Sequence, residues 1–509
     1  MYATRLTPFP ERQFSCIVKD TIWVRTLSSG LLGLAPSATR LETEVSQPQD
    51  TRPNMLCIVA DDLGWADLSV YGQTDYDTPH LDRLATQGVR FTQAYANSAV
   101  CSATRFALIT GRYQYRLPGG LEEPLTGAGQ RLGLPPEHPT LPSLLKAVGY
   151  TTALIGKWHL GSLPHYGPLK SGYDRFFGNY GGAIDYFTHK PGVGAHVPRD
   201  LYEGEMPVER PGYYTQILAD EASQYLRDHV RQGQAQPWRD RVGAGRLRPF
   251  FLSLHFTAPH WPWVGPDDEA VSRHLKDLFH YDGGNLKTYA KMVRALDGAV
   301  GQVLAALDEQ GMADNTMVIF TSDNGGERFS KTWPFTGQKT ELLEGGLRVP
   351  TLLRWPARLA PQVSHQVTIT MDWLPTLLAA AGTVPDAASP SDGDNILPVL
   401  LGERAPYPRT LYWRYKAQAQ RAVRDGDWKY LKINNNEFLF NIADDVRERA
   451  NLRHCHPEVF QRLKQQWEVW NSEQLPITDA VRSHGVTPDI QADRYVPERL
   501  QRIPLGPRL

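Results

Sequence analysis

The chain has 509 residues, enough for a large core and more than one folding unit, since single cores stop growing near ~250–300 residues. Its 54 Lys and Arg against 55 Asp and Glu leave a formal net charge of −1, so no basic surplus exists for nucleic acid. Four cysteines, Cys16, Cys57, Cys101 and Cys455, lie far apart without CxxC spacing, which indicates neither a disulfide framework nor a zinc site, and no run approaches the ~20 apolar residues of a membrane span.

Residues 1–50 read as a poorly ordered leader. Within them Thr26 to Ala38, preceded by Arg25, is the stretch nearest to an export signal, but its apolar core is short and Lys19 and Asp20 stand before it. That favours a cytoplasmic chain over an exported one. Met55 to Ala60 is a continuous apolar run, expected as a buried parallel strand, and it ends in Asp61-Asp62, where open α/β sheets place their ligands. Thr78-Pro79, then Leu81, Leu84 and Ala85, closed by Gly88, predicts a capped helix. A strand from Arg90 to Ala94 leads on to Cys101. After it Phe106, Ala107 and Ile109 favour a helix that Gly111 ends. Cys101 then sits at a helix N-terminus with Arg105 one turn later on the same face, a nucleophile beside an anion site; the alternative is a small buried hydrophobe.

Thr151 to Ile155 is a further strand, delivering Gly156-Lys157-Trp158-His159 at its end. Alternation along continued extended chain would turn Lys157 and His159 to one side. Gly161 to about Tyr214 is rich in Gly, Pro and aromatic residues and is expected to be a long loop that sets substrate specificity. Pro249 to Phe256 is a buried strand emptying into Thr257-Ala258-Pro259-His260-Trp261-Pro262-Trp263, where two prolines fix the backbone about His260 and hold an imidazole able to protonate a leaving group. His255 is assigned to packing. Asn285 to Gln310 has helical apolar spacing, and Thr316 to Ser322 is another buried strand, ending in Asp323-Asn324.

Asp61, Asp62, Asp323 and Asn324 together offer four oxygen ligands, suited to Ca²⁺ or Mg²⁺ and not to a soft metal. Left unpaired, three clustered carboxylates would repel. Gly337 to Glu341 reads as a Gly-rich turn in which Lys339, on composition alone, is an exposed lysine. A strand from Val349 to Trp355 and a helix from Met371 to Ala381 close the catalytic α/β domain, set at 51–385. Gly382 to Gly393 is a linker. Beyond it Thr410–Tyr415, Ala422–Arg424, Trp428–Ile433 and Glu437–Ile442 are short alternating strands with Asp425-Gly426-Asp427 as a turn, and Pro457 to Trp470 is their covering helix. These make a small α+β subdomain at 394–478, and 479–509 is a polar tail, read as an arm for homo-oligomer contacts.

Cys101-x-x-x-Arg105 followed by Leu108, Thr110 and Gly111, with GKWHLG, GGAIDYFTH, EGGLRVP, DGDWKYLK and LFNIADD, resembles the sulfatase family from about Asn54 to Leu452. The family normally has proline two places after the cysteine; this chain has Ala103. The resemblance implies an alkaline-phosphatase-like α/β sandwich, a large central mixed sheet flanked by helices, with a smaller C-terminal domain. It also implies hydrolysis of a small-molecule or carbohydrate sulfate ester. Cys101 would be converted to formylglycine by a maturase, of the radical type given Ala103. A hydroxyl of the aldehyde hydrate would attack sulfur, with the metal at the four oxygen ligands. His260 would protonate the departing alcohol with help from Lys339, His159 would assist release of sulfate, and Arg105 and Lys157 would hold the hydrate and the oxyanions. The metal and three cations outweigh the three carboxylates, which suits an anionic ester. The same surplus admits a phosphonate or phosphodiester hydrolase on this scaffold, or a non-catalytic binder of sulfated ligands in which Cys101 stays a thiol.

Overall fold

Every side chain of the apolar run 55–60 is buried, because strand β1 (Asn54–Ala60) lies in the middle of a sheet with helices on both faces. The computed structural model describes residues 52–126, 131–235, 247–485 and 491–492. The leader at 1–50, the export-signal stretch Thr26 to Ala38, Cys16 and most of the tail lie outside the described residues.

After β1 come β2 (Val89–Phe91), β3 (Ala94–Tyr95), β4 (Thr151–Lys157), β5 (Arg175–Asn179), β6 (Tyr202–Glu203), β7 (Met206–Pro207), β8 (Phe250–His255), β9 (Thr316–Ser322), β10 (Thr351–Arg354), β11 (Gln362–Ser364) and β12 (Thr368–Ile369). Ten of these strands form one mixed sheet in the order β11-β2-β10-β9-β1-β8-β4-β5-β6-β7. The block β9-β1-β8-β4-β5 is parallel throughout, whereas β10 runs against both β9 and β2. The chain expected as one strand from Arg90 to Ala94 is two: β2 stays in the large sheet, and β3 leaves it to pair with β12.

Alternate residues of β1 face opposite layers, as strand geometry requires. Leu56, Ile58 and Ala60 pack with the helices Tyr214–Ala235 and Leu286–Glu309, while Met55, Cys57 and Val59 pack with Phe106, Leu145 and Leu377 on the other face. Asn285 caps the second of those helices, its Oδ1 accepting from the amides of Lys287 and Thr288 at 2.9 and 3.0 Å. The segment expected to be loop up to Tyr214 contains β5 and the short hairpin β6–β7. Among the described residues, two helices of 7 residues or more went unread in the sequence, Leu141–Ala147 and Tyr214–Ala235.

The C-terminal sheet is an antiparallel meander of β13 (Thr410–Tyr415), β14 (Gln420–Asp425), β15 (Trp428–Ile433) and β16 (Asn436–Asn441), with the helix Pro457–Ser472 upon it. It shares a core with Val100, Ala103 and Ala107 of the Cys101 segment. The two sheets are thus joined where the chemistry is expected. Among the described residues no helix is long and apolar enough to cross a membrane, and Cys57, Cys101 and Cys455 are free.

Candidate active site

Four neighbouring parallel strands, β9, β1, β8 and β4, end on one rim, and each delivers polar residues there: Asp323-Asn324, Asp61-Asp62, His260 and Lys157 to His159. Strands about 4.8 Å apart bring such ends within reach of one another. Cys101 meets them from the helix Cys101–Thr110, all ten residues of which are buried. Val100, the residue before it, makes no side-chain cap, so first-turn amides are left for a ligand at Cys101.

One ligand atom each from Asp61, Asp323 and Cys101 lie within 4.8 Å of one another, as do atoms from Asp61, Asp62 and His260. Each acid has its own cation. Lys157 Nζ is 2.5 Å from Asp61 Oδ2, Lys339 Nζ is 2.6 Å from Asp62 Oδ2, and Arg105 donates from Nε and Nη2 to Asp323 Oδ2 at 3.0 and 2.8 Å. Arg105 Nη2 also approaches Asp61 Oδ1 at 3.9 Å. Asn324 Nδ2 donates to Asp62 Oδ1 at 2.7 Å. Two buried oxygens, Asp61 Oδ1 and Asn324 Oδ1, have no hydrogen-bond partner. Buried polar atoms are nearly always paired, so these two mark where a hard cation fits.

Burial pushes the Asp61 carboxyl well above its ordinary range, with Asp323 adding to it and Lys157 opposing. Asp62 experiences the same burial but is held low by Lys339 and His260. Burial would depress the Lys339 ammonium, yet Asp62 and Glu327 keep it well above its usual value. Burial likewise lowers His159 and His260 well below ordinary histidine, aided by Lys157 and Lys339 respectively, and pushes the Cys101 thiol up to about 11.

His159 reaches the site by a different route from the one the alternation predicted. Its backbone is left-handed, φ 59°, so the extended chain stops at Trp158. The ring turns so that Nε2 lies 2.7 Å from the Leu125 carbonyl, which it satisfies as donor, leaving Nδ1 buried without a partner. Asp62 (φ 62°) and Thr340 (φ 72°), the latter next to Lys339, share this conformation. Such backbones cost about 1 kcal/mol or more each and gather at functional sites. His260 Nδ1 faces the Trp261 carbonyl at 2.8 Å, which turns Nε2 toward Asp62 Oδ2 at 3.5 Å. Lys339 is buried, not the exposed lysine its composition indicates.

His255, assigned to packing, lies beneath the site, its Nδ1 3.2 Å from Arg105 Nη1. It supports the arginine. Glu327 escaped the sequence reading: its Oε2 is 3.2 Å from both Lys339 Nζ and Trp261 Nε1. An acid three residues past Asp323-Asn324 carries no pattern of its own. Glu327 is a fourth carboxylate at the site and trims the positive surplus by one.

Above Cys101 opens a cavity of ≈ 1480 Å³. Cys101, His159, His260 and Lys339 line its floor, and Tyr180, Gly182 and Tyr202 of the expected specificity loop stand in its wall. Tyr186, Tyr213 and Tyr214 of that loop are core residues instead.

A mixed ten-stranded sheet between helical layers, with acids and cations converging on one strand rim, defines an alkaline-phosphatase-like α/β hydrolase of anionic esters. The sulfatase family model matches residues 53–383. Human (Homo sapiens) N-acetylgalactosamine-6-sulfatase is 34% identical over 382 residues, covering 71% of this chain and 68% of that protein. Mouse (Mus musculus) steryl-sulfatase is 33% identical over 464 residues, covering 74% and 69%. The crystal structure of Ps i-CgsB in complex with k-i-k-neocarrahexaose superposes with a TM-score of 0.74 at 30% identity, covering 89% of this chain and 98% of that one. The chain belongs to the sulfatase family and is a sulfuric ester hydrolase.

Proposed function

We propose that the chain hydrolyses the sulfate ester of a sulfated saccharide at position 101, with formylglycine in place of the cysteine and Ca²⁺ or Mg²⁺ held by Asp61, Asp62, Asp323 and Asn324. The observation that carries this reading is the convergence of Cys101 with Asp61 and Asp323 beneath a large cavity, beside two buried oxygens that lack partners. When bound, the metal supplies Lewis-acid charge, and the aldehyde hydrate supplies a hydroxyl as nucleophile.

The side chains divide the remaining work. Arg105 and Lys157 lock the acids by ion pairs and present positive charge to the sulfate oxygens. Lys339 and His260 meet at Asp62 Oδ2, where together they stand ready to protonate the departing alcohol oxygen as the S–O bond breaks. His159 Nδ1, the unpartnered ring nitrogen, takes the proton whose removal lets sulfate leave. Glu327 also holds Lys339, at 3.2 Å, and leaves a modest positive surplus, suited to a singly charged ester. A saccharide is favoured by the size of the cavity, by the sugar in the name of N-acetylgalactosamine-6-sulfatase and by the neocarrahexaose in complex with Ps i-CgsB.

Replacing Cys101 by Ala should lower turnover of 4-nitrophenyl sulfate by at least about a thousandfold, since the nucleophile is removed, while circular dichroism stays that of the parent. Near-parental turnover in Cys101→Ala would remove position 101 from the reaction.

A further inference from the structure

The cavity above Cys101 has four carboxylates in its wall, and the protein itself uses each one. Glu123 accepts from Ser483 Oγ, Asp200 from the Tyr180 and Gly181 amides, Asp277 from the His280 amide, and Glu327 from Lys339. The outer cations are committed too: Lys276 to Asp282, Arg199 to Glu209, and Lys416 to the carbonyls of Thr478, Asp479 and Val481. Among the described residues the exception is Arg482. Its amide and carbonyl are bonded, to Glu122 Oε1 and the Glu123 amide, but its guanidinium has no partner among the described residues, and Arg482 lines the cavity.

Arg482 belongs to a strap, residues 478–484, that is tied down far from its neighbours in sequence. Glu123 pairs in parallel with Ser483, its amide donating to the Arg482 carbonyl at 3.0 Å and its carbonyl accepting from the His484 amide at 2.8 Å. Its side chain adds Ser483 Oγ at 2.6 Å and the Lys416 amide at 2.8 Å through the same Oε2. Tyr415 Oη closes the end of the strap on the His484 carbonyl at 2.5 Å. The described part of the tail is therefore a fixed wall of the cavity.

Facing that wall is a run of rings leading out from the site. Trp261 lies 4.1 Å from His260, Phe279 is 4.5 Å from Trp261, and Tyr281 stacks on Phe279 at 5.3 Å with planes 3° apart. Phe279 and Tyr281 are 39% and 44% exposed, so this stacked pair stands open to solvent. The His484 ring stands 6.3 Å from Phe279, at 27° to it. Flat apolar faces beside one free guanidinium are what a polar ring bearing an anion requires.

We propose that the strap and Phe279 form an outer subsite for the sugar unit next to the sulfated one, in which Arg482 pairs with an anionic group on that unit, a sulfate or a uronate carboxylate. Glu123 is the positioning residue that holds the strap. The subsite rests on the sulfated-saccharide reading above, and it makes the preferred substrate an oligosaccharide with acidic neighbouring units.

The test is calorimetric titration of the full chain carrying Cys101→Ala, in calcium buffer, so that binding is read without turnover. The probes are a chondroitin 6-sulfate hexasaccharide against N-acetylgalactosamine 6-sulfate, and k-i-k-neocarrahexaose against galactose 4-sulfate. At least one hexasaccharide should bind tenfold or more tighter than its monosaccharide, and adding Arg482→Ala should abolish that gain. A gain with the chondroitin probe alone assigns the anion as carboxylate, and with the neocarrahexaose alone as sulfate; both outcomes support the subsite. Glu123→Ala should erase the gain as well, and should that variant not fold, the exposed Arg482 still decides. Equal affinity for hexasaccharide and monosaccharide with both pairs, or a gain that survives Arg482→Ala, overturns the subsite. Turnover of 4-nitrophenyl sulfate by the parent chain reports on the hydrolase reading separately, so the two can fail independently.

Discussion

The His159 ring packs directly against Gly182 and bonds the Leu125 carbonyl. A Cβ placed on Gly182 would lie 2.3 Å from His159 Cε1 and 2.5 Å from Nε2, so only glycine leaves the ring where it bonds Leu125. The second glycine of the GGAIDYFTH run is therefore a seat for the His159 ring. Gly182→Ala, whose backbone is ordinary, should push the ring away and lower kcat for 4-nitrophenyl sulfate by about tenfold to a hundredfold, with the melting temperature little changed. An unaltered kcat would take His159 out of the reaction. At this scale the acids were legible, because a buried apolar run that ends abruptly in Asp-Asp or Asp-Asn marks the carboxyl end of a sheet strand, where ligands bind. Glu327, Glu123 and Arg482 were not, since each is a single charged residue in a loop, and only the folded chain brings it to the cavity. His159 was legible as a residue but not in its geometry, because a left-handed backbone ended the alternation.

Lys339 depends on the element that follows it. The short helix Glu344–Leu347 is buried, and a Cβ on Gly346 would meet the Glu341 carbonyl at 2.0 Å, so the Lys339 loop folds tightly over it. Glu344 anchors this turn to the C-terminal sheet: it accepts from Lys429 Nζ at 2.9 Å and from Tyr95 Oη at 2.6 Å, with Arg348 at 3.4 Å. Lys429 also lies 2.9 Å from Glu448 Oε1, an ion pair without hydrogen-bond alignment. The EGGLRVP run therefore supports the Lys339 loop by packing and charge. Lys429→Met should leave two buried acids unbalanced and cost about 3–5 kcal/mol in urea denaturation. A loss below about 1 kcal/mol would show that Glu344 does not need its lysine. The strands β1, β9, β13 and β15 were readable nearly to the residue from apolar runs and alternation. The helix Tyr214–Ala235 carried a signal in the spacing of Ile217, Leu218, Ala222 and Leu226, but the aromatic, Gly-rich stretch before it obscured where it began.

Across the whole molecule, the site's acids, Lys157, His159 and His260 come from strand ends of one sheet, Cys101 and Arg105 from the helix Cys101–Thr110 and Lys339 from a loop, while the cavity wall is completed by the 161–214 segment, the rings of Trp261 and Phe279, and a strap near the C-terminus. Buried strands and covering helices were legible one by one from apolar runs and helical spacing, whereas the fold class itself followed from the resemblance carried by the Cys101 run and GKWHLG, and it agrees with a parallel block covered on both faces. The 161–214 part of that wall was anticipated, but the strap was not, as its place is set only by tertiary contacts such as Glu123 with Ser483. The polar cluster thus sits on strand ends and one helix, and the cavity above it is walled by loops. The claim on which the rest depends is that the residue at position 101 is no longer a cysteine when the protein works. It is tested most directly by a mass spectrum of the tryptic peptide Phe91 to Arg105, taken from a preparation that turns over 4-nitrophenyl sulfate. The account predicts a peptide lighter by the exchange of one sulfur and two hydrogens for one oxygen, or its hydrate; an active preparation containing only the thiol would contradict it.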